Sequence, residues 1–167
     1  VLDKIPAVLL GEEEIGAMAR GSLVHYLFQN ITYMAHNVNT IKDEIERLIG
    51  AELLTRDEAE ILDPEIFIRF FKSKLGKRAL ANLSSLEREK AFTMKIEDMY
   101  VDGQIDAYFK ENGEIVMYDF KTDKTIDPSR YKDQMAYYRS ALEKAYGLKV
   151  KETYIYWTSH GVEALIK

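Results

Sequence analysis

The 167 residues include no cysteine. Disulfides, zinc ribbons, thiol nucleophiles and cysteine-held iron–sulfur clusters are therefore excluded, and any metal must be held by histidine, carboxylates and carbonyls. Long apolar runs are also missing. None approaches the roughly 18 residues that span a bilayer, and Val1-Leu2-Asp3-Lys4 lacks the basic start and apolar core of a signal peptide. The expectation is a soluble chain with no membrane partner. With three prolines, nine glycines and no repeat or low-complexity stretch, collagen-like and disordered classes are excluded too. The chain does not open with Met, which is expected of a piece of a longer polypeptide.

What is present is a globular mixture, 47% hydrophobic and 31% charged, of a length that suits one domain over residues 1–167 with a sizeable core. Its charge is uneven. Residues 1–66 hold 5 Lys+Arg against 13 Asp+Glu, while residues 67–167 hold 18 against 15. An acidic first half repels a phosphate backbone, so a nucleic-acid substrate would have to be delivered rather than captured by this domain alone.

Residues 1–85 read mainly as helices. Ile15, Met18, Ala19, Ser22, Leu23, Tyr26 and Leu27 recur at helical spacing from Glu12 to about Asn30, with acidic residues in the first turn. Gly21 interrupts that helix at a cost of about 1 kcal/mol, so something should approach closely there. A second helix is predicted over Ile41 to Gly50. Thr55-Arg56-Asp57-Glu58 forms a capping box, and Asp63-Pro64 opens a fourth helix running through Phe67, Phe70, Phe71 and Leu75.

After about Leu86 the period changes to two. Glu89 to Ile96, Tyr100 to Phe109 and Glu114 to Lys121 form a meander whose second turn is Asn112-Gly113. Asp127-Pro128 caps a long helix ending near Gly147. A strand from Glu152 to Thr158 follows, with a short partner after His160-Gly161.

Chemistry concentrates on the meander. Ile115, Met117, Asp119 and Lys121 share one side of their strand and Val116, Tyr118 and Phe120 the other, so the strand is apolar on both sides until Asp119. A covered strand end makes an ionised carboxylate costly unless a cation or several donors compensate it. In the preceding strand Ile105, Ala107 and Phe109 take one face, and Gln104, Asp106 and Tyr108 the other. Pairing through Asn112-Gly113 brings Asp106 and Asp119 to the same end, where with the Phe120 carbonyl they form an oxygen site suited to magnesium or manganese. Taken alone, the spacing favours a plainer reading: Asp-x-Lys is short and common, so one aspartate would pair with Lys121 and the other would be solvated.

Five segments in order carry more. Arg20-Gly21-Ser22-Leu23-Val24-His25, Arg88-Glu89-Lys90-Ala91-Phe92, Gly103-Gln104-Ile105-Asp106, Tyr118-Asp119-Phe120-Lys121-Thr122-Asp123 and Tyr131-Lys132-Asp133-Gln134-Met135-Ala136-Tyr137-Tyr138 resemble the RecB-type nuclease domain of the PD-(D/E)XK superfamily. Within it they are most similar to the C-terminal nuclease domains of AddA-class helicase-nucleases. The likeness covers roughly residues 18 to 160. Ser22 stands where Thr is frequent and Phe120 where Tyr is frequent, the Pro of the superfamily name is absent before Asp106, and the acidic helices between about 37 and 80 match nothing in the pattern.

The resemblance implies a three-layer, restriction-endonuclease-like α/β fold, with a mixed sheet of about five strands flanked by helices and a helical N-terminal region. It implies a Mg2+-dependent deoxyribonuclease, with Mn2+ as a substitute ion and no iron–sulfur cluster. The ion would be held by His25, Asp106, Asp119 and the carbonyl of Phe120, and Lys121 would sit beside the attacking water. Glu89 would be a secondary site residue. Gln134, Tyr131 and Tyr138, which share one side of the long helix, would brace the site and touch the DNA backbone. By position alone Glu89 is a surface charge, the helix trio a core edge, and His25 a buried, hydrogen-bonded histidine; the resemblance reverses that order for His25. Eleven tyrosines suggest base stacking, but most stand at positions that build core edges. Further implications are single-stranded DNA delivered by a helicase motor in the same parent chain, an AddB-type partner protein, double-strand-break repair and recombination, and the bacterial cytoplasm. The rivals are a standalone resolvase or restriction-type endonuclease, and a non-catalytic docking domain that retains the fold.

Overall fold

A computed structural model describes residues 12–167; the side chains of Ile15 and Met18 and those of the first-turn glutamates fall outside the described residues, as do Val1 to Lys4. Helix α1 (Glu12–Asn30) leads to α2 (Val38–Gly50), the short α3 (Arg56–Glu60), α4 (Glu65–Lys72) and α5 (Lys74–Ala81). A 3-10 turn at Leu83–Ser85 then opens the sheet: β1 (Glu87–Ile96), β2 (Met99–Glu111), β3 (Glu114–Lys121), β4 (Val150–Trp157) and β5 (Val162–Leu165). Between β3 and β4 run a 3-10 turn at Pro128–Tyr131 and α6 (Lys132–Tyr146). Among the described residues no helix is long and apolar enough to cross a membrane.

The strands lie in chain order, β3 and β4 parallel and the other neighbours antiparallel, so the sheet is mixed and β3 is central. Its two faces feed two cores. Val116, Tyr118 and Phe120 pack with Phe28, Phe67, Phe70 and Phe71 of the N-terminal helices, whereas Ile115 and Met117 pack with Met135 and Leu142 of α6 and with Trp157. This is the helix–sheet–helix arrangement of the restriction-endonuclease-like fold. Asn112 and Gly113 both have positive φ, 53° and 81°, the backbone a two-residue hairpin needs and the reason Asn-Gly marks one.

Four local expectations need correction. The buried face of α1 is turned by about one residue from the stripe read in the sequence: Leu23, Val24, Leu27 and Phe28 are buried, while Ala19 and Ser22 are exposed. Aromatic volume at Phe28 decides this, because its ring fills the core that the smaller Ser22 cannot. Helix α2 begins three residues early because Asn37 and Thr40 form a reciprocal capping box. The fourth predicted helix is two helices. Ser73 is extended (φ −65°, ψ 164°), its hydroxyl donates to the Phe70 carbonyl, and the same oxygen accepts from Gly76 N–H to cap α5. Strict alternation also fails in β2: Ile105 packs with Tyr108 beneath α6, while Ala107 and Phe109 face the N-terminal helices. The irregularity falls at Asp106.

Candidate active site at the end of the central strands

The β2–β3 ladder runs from Glu111↔Glu114 to Ala107↔Tyr118 and stops there. One step further, where Asp106 would face Asp119, the strands part and the Asp106 carboxylate fills the gap. Its Oδ2 accepts from the Phe120 backbone N–H at 2.7 Å, replacing a ladder bond by a charge-assisted one. The aspartate is thereby fixed at the strand end with only 11% of its side chain exposed. It is not the solvated member that the spacing alone suggested.

Helix α1 is laid across this end by contacts that sequence patterns only half reveal. A Cβ on Gly21 would stand 2.7 Å from Thr122 Oγ1, so the absent side chain lets the helix pass directly over the end of β3. Two turns on, Phe28 stacks on Phe120 with centroids 3.9 Å apart and planes 13° from parallel. Arg88 of β1 clamps the helix terminus, donating to the carbonyls of Phe28 (3.0 Å) and Ile31 (2.7 Å), with its guanidinium 4.8 Å from the Tyr33 ring. Tyr118 in turn donates to Tyr33. The outcome is His25 Nδ1 at 3.4 Å from Asp106 Oδ2, although 81 positions separate the two in the chain.

On the other side of the strand end, Lys121 Nζ lies 2.7 Å from Asp119 Oδ2, donates to Gln134 Oε1 at 3.0 Å and stands 4.3 Å from the Tyr131 ring centroid. Gln134 Nε2 donates to Tyr138 Oη at 2.9 Å, and Tyr131 donates to Asp123. The first turn of α6 therefore holds the ammonium by an amide oxygen and an aromatic face. Glu89, the weakest of the sequence candidates, belongs here as well. The β1–β2 register brackets it opposite Asp106, and it sits at positive φ (54°), a turn of the backbone that period-two reading does not detect.

These groups feel one another. Burial pushes the Asp119 carboxyl pKa upward and the Asp106 charge pushes it further, against the opposing pull of Lys121 and His25. Burial, with Asp106 again, raises Glu89 to about 7 despite Gln29, His25 and Arg88. For His25, burial pulls the imidazole pKa down, but the hydrogen bond and charge of Asp106, with Asp119 behind them, more than reverse it. Three carboxylates thus share one full ammonium, and the strand end is short of positive charge.

Among the described residues no three histidine or carboxylate side chains stand together as a ready-made ion cage. Asp119 leans on Lys121, and Asp106 on the Phe120 N–H. One imidazole and two carboxylates are nevertheless a donor set that suits a hard divalent ion, and the charge deficit is what such an ion offsets. The donor chemistry fits.

Sequence patterns do not single out Arg88, Thr122, Gln29 or Asp123. All four lie in or beside the quoted segments, and the Gly21 interruption is the one signal pointing to Thr122. Gly21, Ser22, His25, Tyr26, Gln29 and Thr122 line an open hollow of about 660 Å³ on the α1 side of the carboxylates. His36, by contrast, is a buried structural residue between Thr32 and Thr40, and His160 is exposed.

Comparison with known proteins agrees with this geometry. The family model described as the PD-(D/E)XK nuclease superfamily matches residues 2–164. An ATP-dependent helicase/nuclease of the AddA class from Clostridium botulinum (strain Loch Maree / Type A3) is 33% identical over 89% of this chain and 13% of its own length. The protein of the same name in Anoxybacillus flavithermus (strain DSM 21510 / WK1) is 34% identical over 82% of this chain and 12% of its own. The chain thus spans about an eighth of the length of those relatives. A crystal structure of protein VC1899 from Vibrio cholerae aligns with 86% of this chain and 43% of its own at 11% identity, TM-score 0.38.

Proposed function

Since the chain belongs to the PD-(D/E)XK nuclease superfamily, we propose that it is a divalent-metal-dependent deoxyribonuclease that hydrolyses phosphodiester bonds of DNA at this strand end. The observation that carries the reading is the convergence of His25, Asp106, Asp119 and Lys121 on one spot that lacks positive charge. Magnesium is the proposed ion, with manganese as a substitute. His25, Asp106, Asp119 and the Phe120 carbonyl would hold it, and when bound it supplies positive charge to a phosphate oxygen and makes a nearby water more acidic.

The remaining roles belong to the chain's own groups. A water attacks phosphorus in line, a new P–O bond forms as the bond to the leaving sugar oxygen breaks, and that oxygen takes up a proton. Lys121, held between Asp119 and Gln134, donates hydrogen bonds to the attacking water and offsets charge growing on the phosphate. Gln134 and Tyr138 keep the ammonium aimed, and Tyr131 covers it from water. Glu89 adds a second-row negative charge beside Asp106 that strengthens the pull on a cation.

The acidic N-terminal half favours delivery of the strand over capture. The names of the relatives support a helicase motor in the same polypeptide, a substrate of single-stranded DNA, an AddB-type partner, and a role in double-strand-break repair in the bacterial cytoplasm. The test is cleavage of an end-labelled single strand with and without magnesium. Metal-dependent products that disappear in Lys121→Ala are expected; equal and negligible cleavage by both proteins would leave a docking domain that keeps the fold.

A further inference from the structure

Beside the catalytic strand end, on the side away from α1, lies a groove of about 680 Å³ lined by aromatic and apolar side chains, among them Phe92, Met99, Tyr131, Tyr137 and Tyr138, with Lys121 and Arg130 among the lining residues. Its walls are the β1–β2 hairpin and the start of α6. We infer that this groove binds the bases of an unpaired DNA strand by stacking and so selects single-stranded substrate; the inference rests on the nuclease reading above and adds its specificity surface.

Three features support a nucleic-acid strand as the occupant. The groove is continuous with the site, because Lys121, Gln134 and Tyr138 line it and also form the catalytic contact chain. The charge is complementary: Lys121 and Arg130 are basic, and the single lining acid, Asp102, accepts a hydrogen bond from the Thr93 hydroxyl. The aromatic groups also present rings rather than hydroxyls. Tyr131 donates its proton to Asp123 and Tyr138 accepts from Gln134, so these polar tips are committed elsewhere.

The rings are held in place, not merely clustered. Phe92 meets Tyr138 edge to face at 5.4 Å, and both crowd the Cα of Gly103, where a Cβ would stand 2.4 Å from Phe92 and 3.1 Å from Tyr138. At the rim, Tyr137 is 46% exposed and Met99 68% exposed, apolar surface that a folded chain gains nothing by presenting to water. A stacked base covers such surface and tolerates any sequence, because every base has a π-face. A double helix keeps its bases stacked on one another and offers only its phosphates.

The test measures binding of the protein to three fluorescent probes of equal length without divalent metal: an ordinary single strand, an abasic strand with the same phosphates, and a blunt duplex. The ordinary strand should bind about tenfold tighter than the abasic one. Tyr137→Ala and Met99→Ala alter exposed side chains and should leave the melting temperature unchanged. Each should weaken the ordinary strand about fivefold and the abasic strand less than twofold. Arg130→Ala should weaken both strands alike and flatten their salt dependence, as loss of a phosphate contact does.

Equal losses on ordinary and abasic strands, no loss on either, no measurable binding, or preference for the duplex would each overturn the groove assignment. Magnesium-dependent cleavage of the ordinary strand is scored separately. Cleavage without Tyr137 dependence removes the groove and keeps the nuclease, whereas Tyr137-dependent stacking without cleavage does the reverse.

Discussion

The two ends of the sheet carry similar residue types arranged to opposite effect. At the far end Arg78 of α5 lies 2.6 Å from Glu111 and 2.6 Å from Glu152 and donates to Tyr154, and Lys151 adds a contact to Glu111. Two carboxylates there meet two cations. Hydrogen bonding to Arg78 holds the Glu111 pKa down, and for Glu152 the same bond, with that of Tyr154, outweighs the upward push of burial. At the near end Glu89, Asp106 and Asp119 share Lys121, and Glu89 and Asp119 are pushed upward instead. A balanced cluster joins elements, and an unbalanced one is held ready for a charge that has yet to arrive.

The sharpest way to break the contrast is to remove one group from each end. Lys121→Ala or Asp119→Ala should lower the cleavage rate by about a thousandfold or more. Arg78→Ala should leave the rate within about twofold, while its unpaired glutamates cost about 1–2 kcal/mol of stability. If cleavage fell equally for both ends, the division between them would be lost.

Arg88→Ala is the next largest change. Losing two bonds to the last carbonyls of α1 and the contact over Tyr33 should cost about 2 kcal/mol, or roughly 4–8 °C in melting temperature, and slow cleavage by about tenfold as His25 drifts from Asp106. Arg88→Lys should recover only part of it, because an ammonium cannot reproduce the fork. Thermal melts and single-turnover rates check this.

The smallest effect sharpens the contrast through pH. An acid whose pKa rises on folding costs the fold stability once the unfolded chain has lost the proton that the folded one still holds. For Glu89 this loss develops as pH climbs from 4.5 to about 7 and is complete above it. Glu89→Gln should therefore raise metal-free stability by about 1 kcal/mol at pH 8 and by nothing at pH 4. Glu111 and Glu152, held down, contribute stability at neutral pH that is lost as pH falls through their lowered values, and Arg78→Ala should flatten that acid limb. Melting temperature followed across pH for both variants reads the two signs.

Much of this is legible in the chain. Period-two runs and Asn112-Gly113 place the meander; β3 reads over the same residues that it occupies, and Asp127-Pro128 and Gly147 bound the long helix, whose first turn is 3-10. The five ordered segments contain every group that the strand end brings together. What is hidden depends on three-dimensional contact. The face of α1 follows Phe28 stacking on Phe120, a contact between residues 92 positions apart in the chain. The break at Ser73 comes from a hydroxyl competing for the backbone, which no apolar period records. Asp106 leaves the alternation because its carboxylate replaces a ladder bond, and Arg88 reads as an ordinary strand cation until the end of α1 is seen beneath it.

The most direct measurement is a crystal grown with manganese, with the metal located by anomalous scattering. Density between Asp106 and Asp119 within ligand distance of His25, with Lys121 displaced from Asp119 toward solvent or phosphate, is the expected result. Manganese found only at Glu111 and Glu152, or absent from the strand end at saturating concentration while the Lys121–Asp119 pair stays closed, would contradict it.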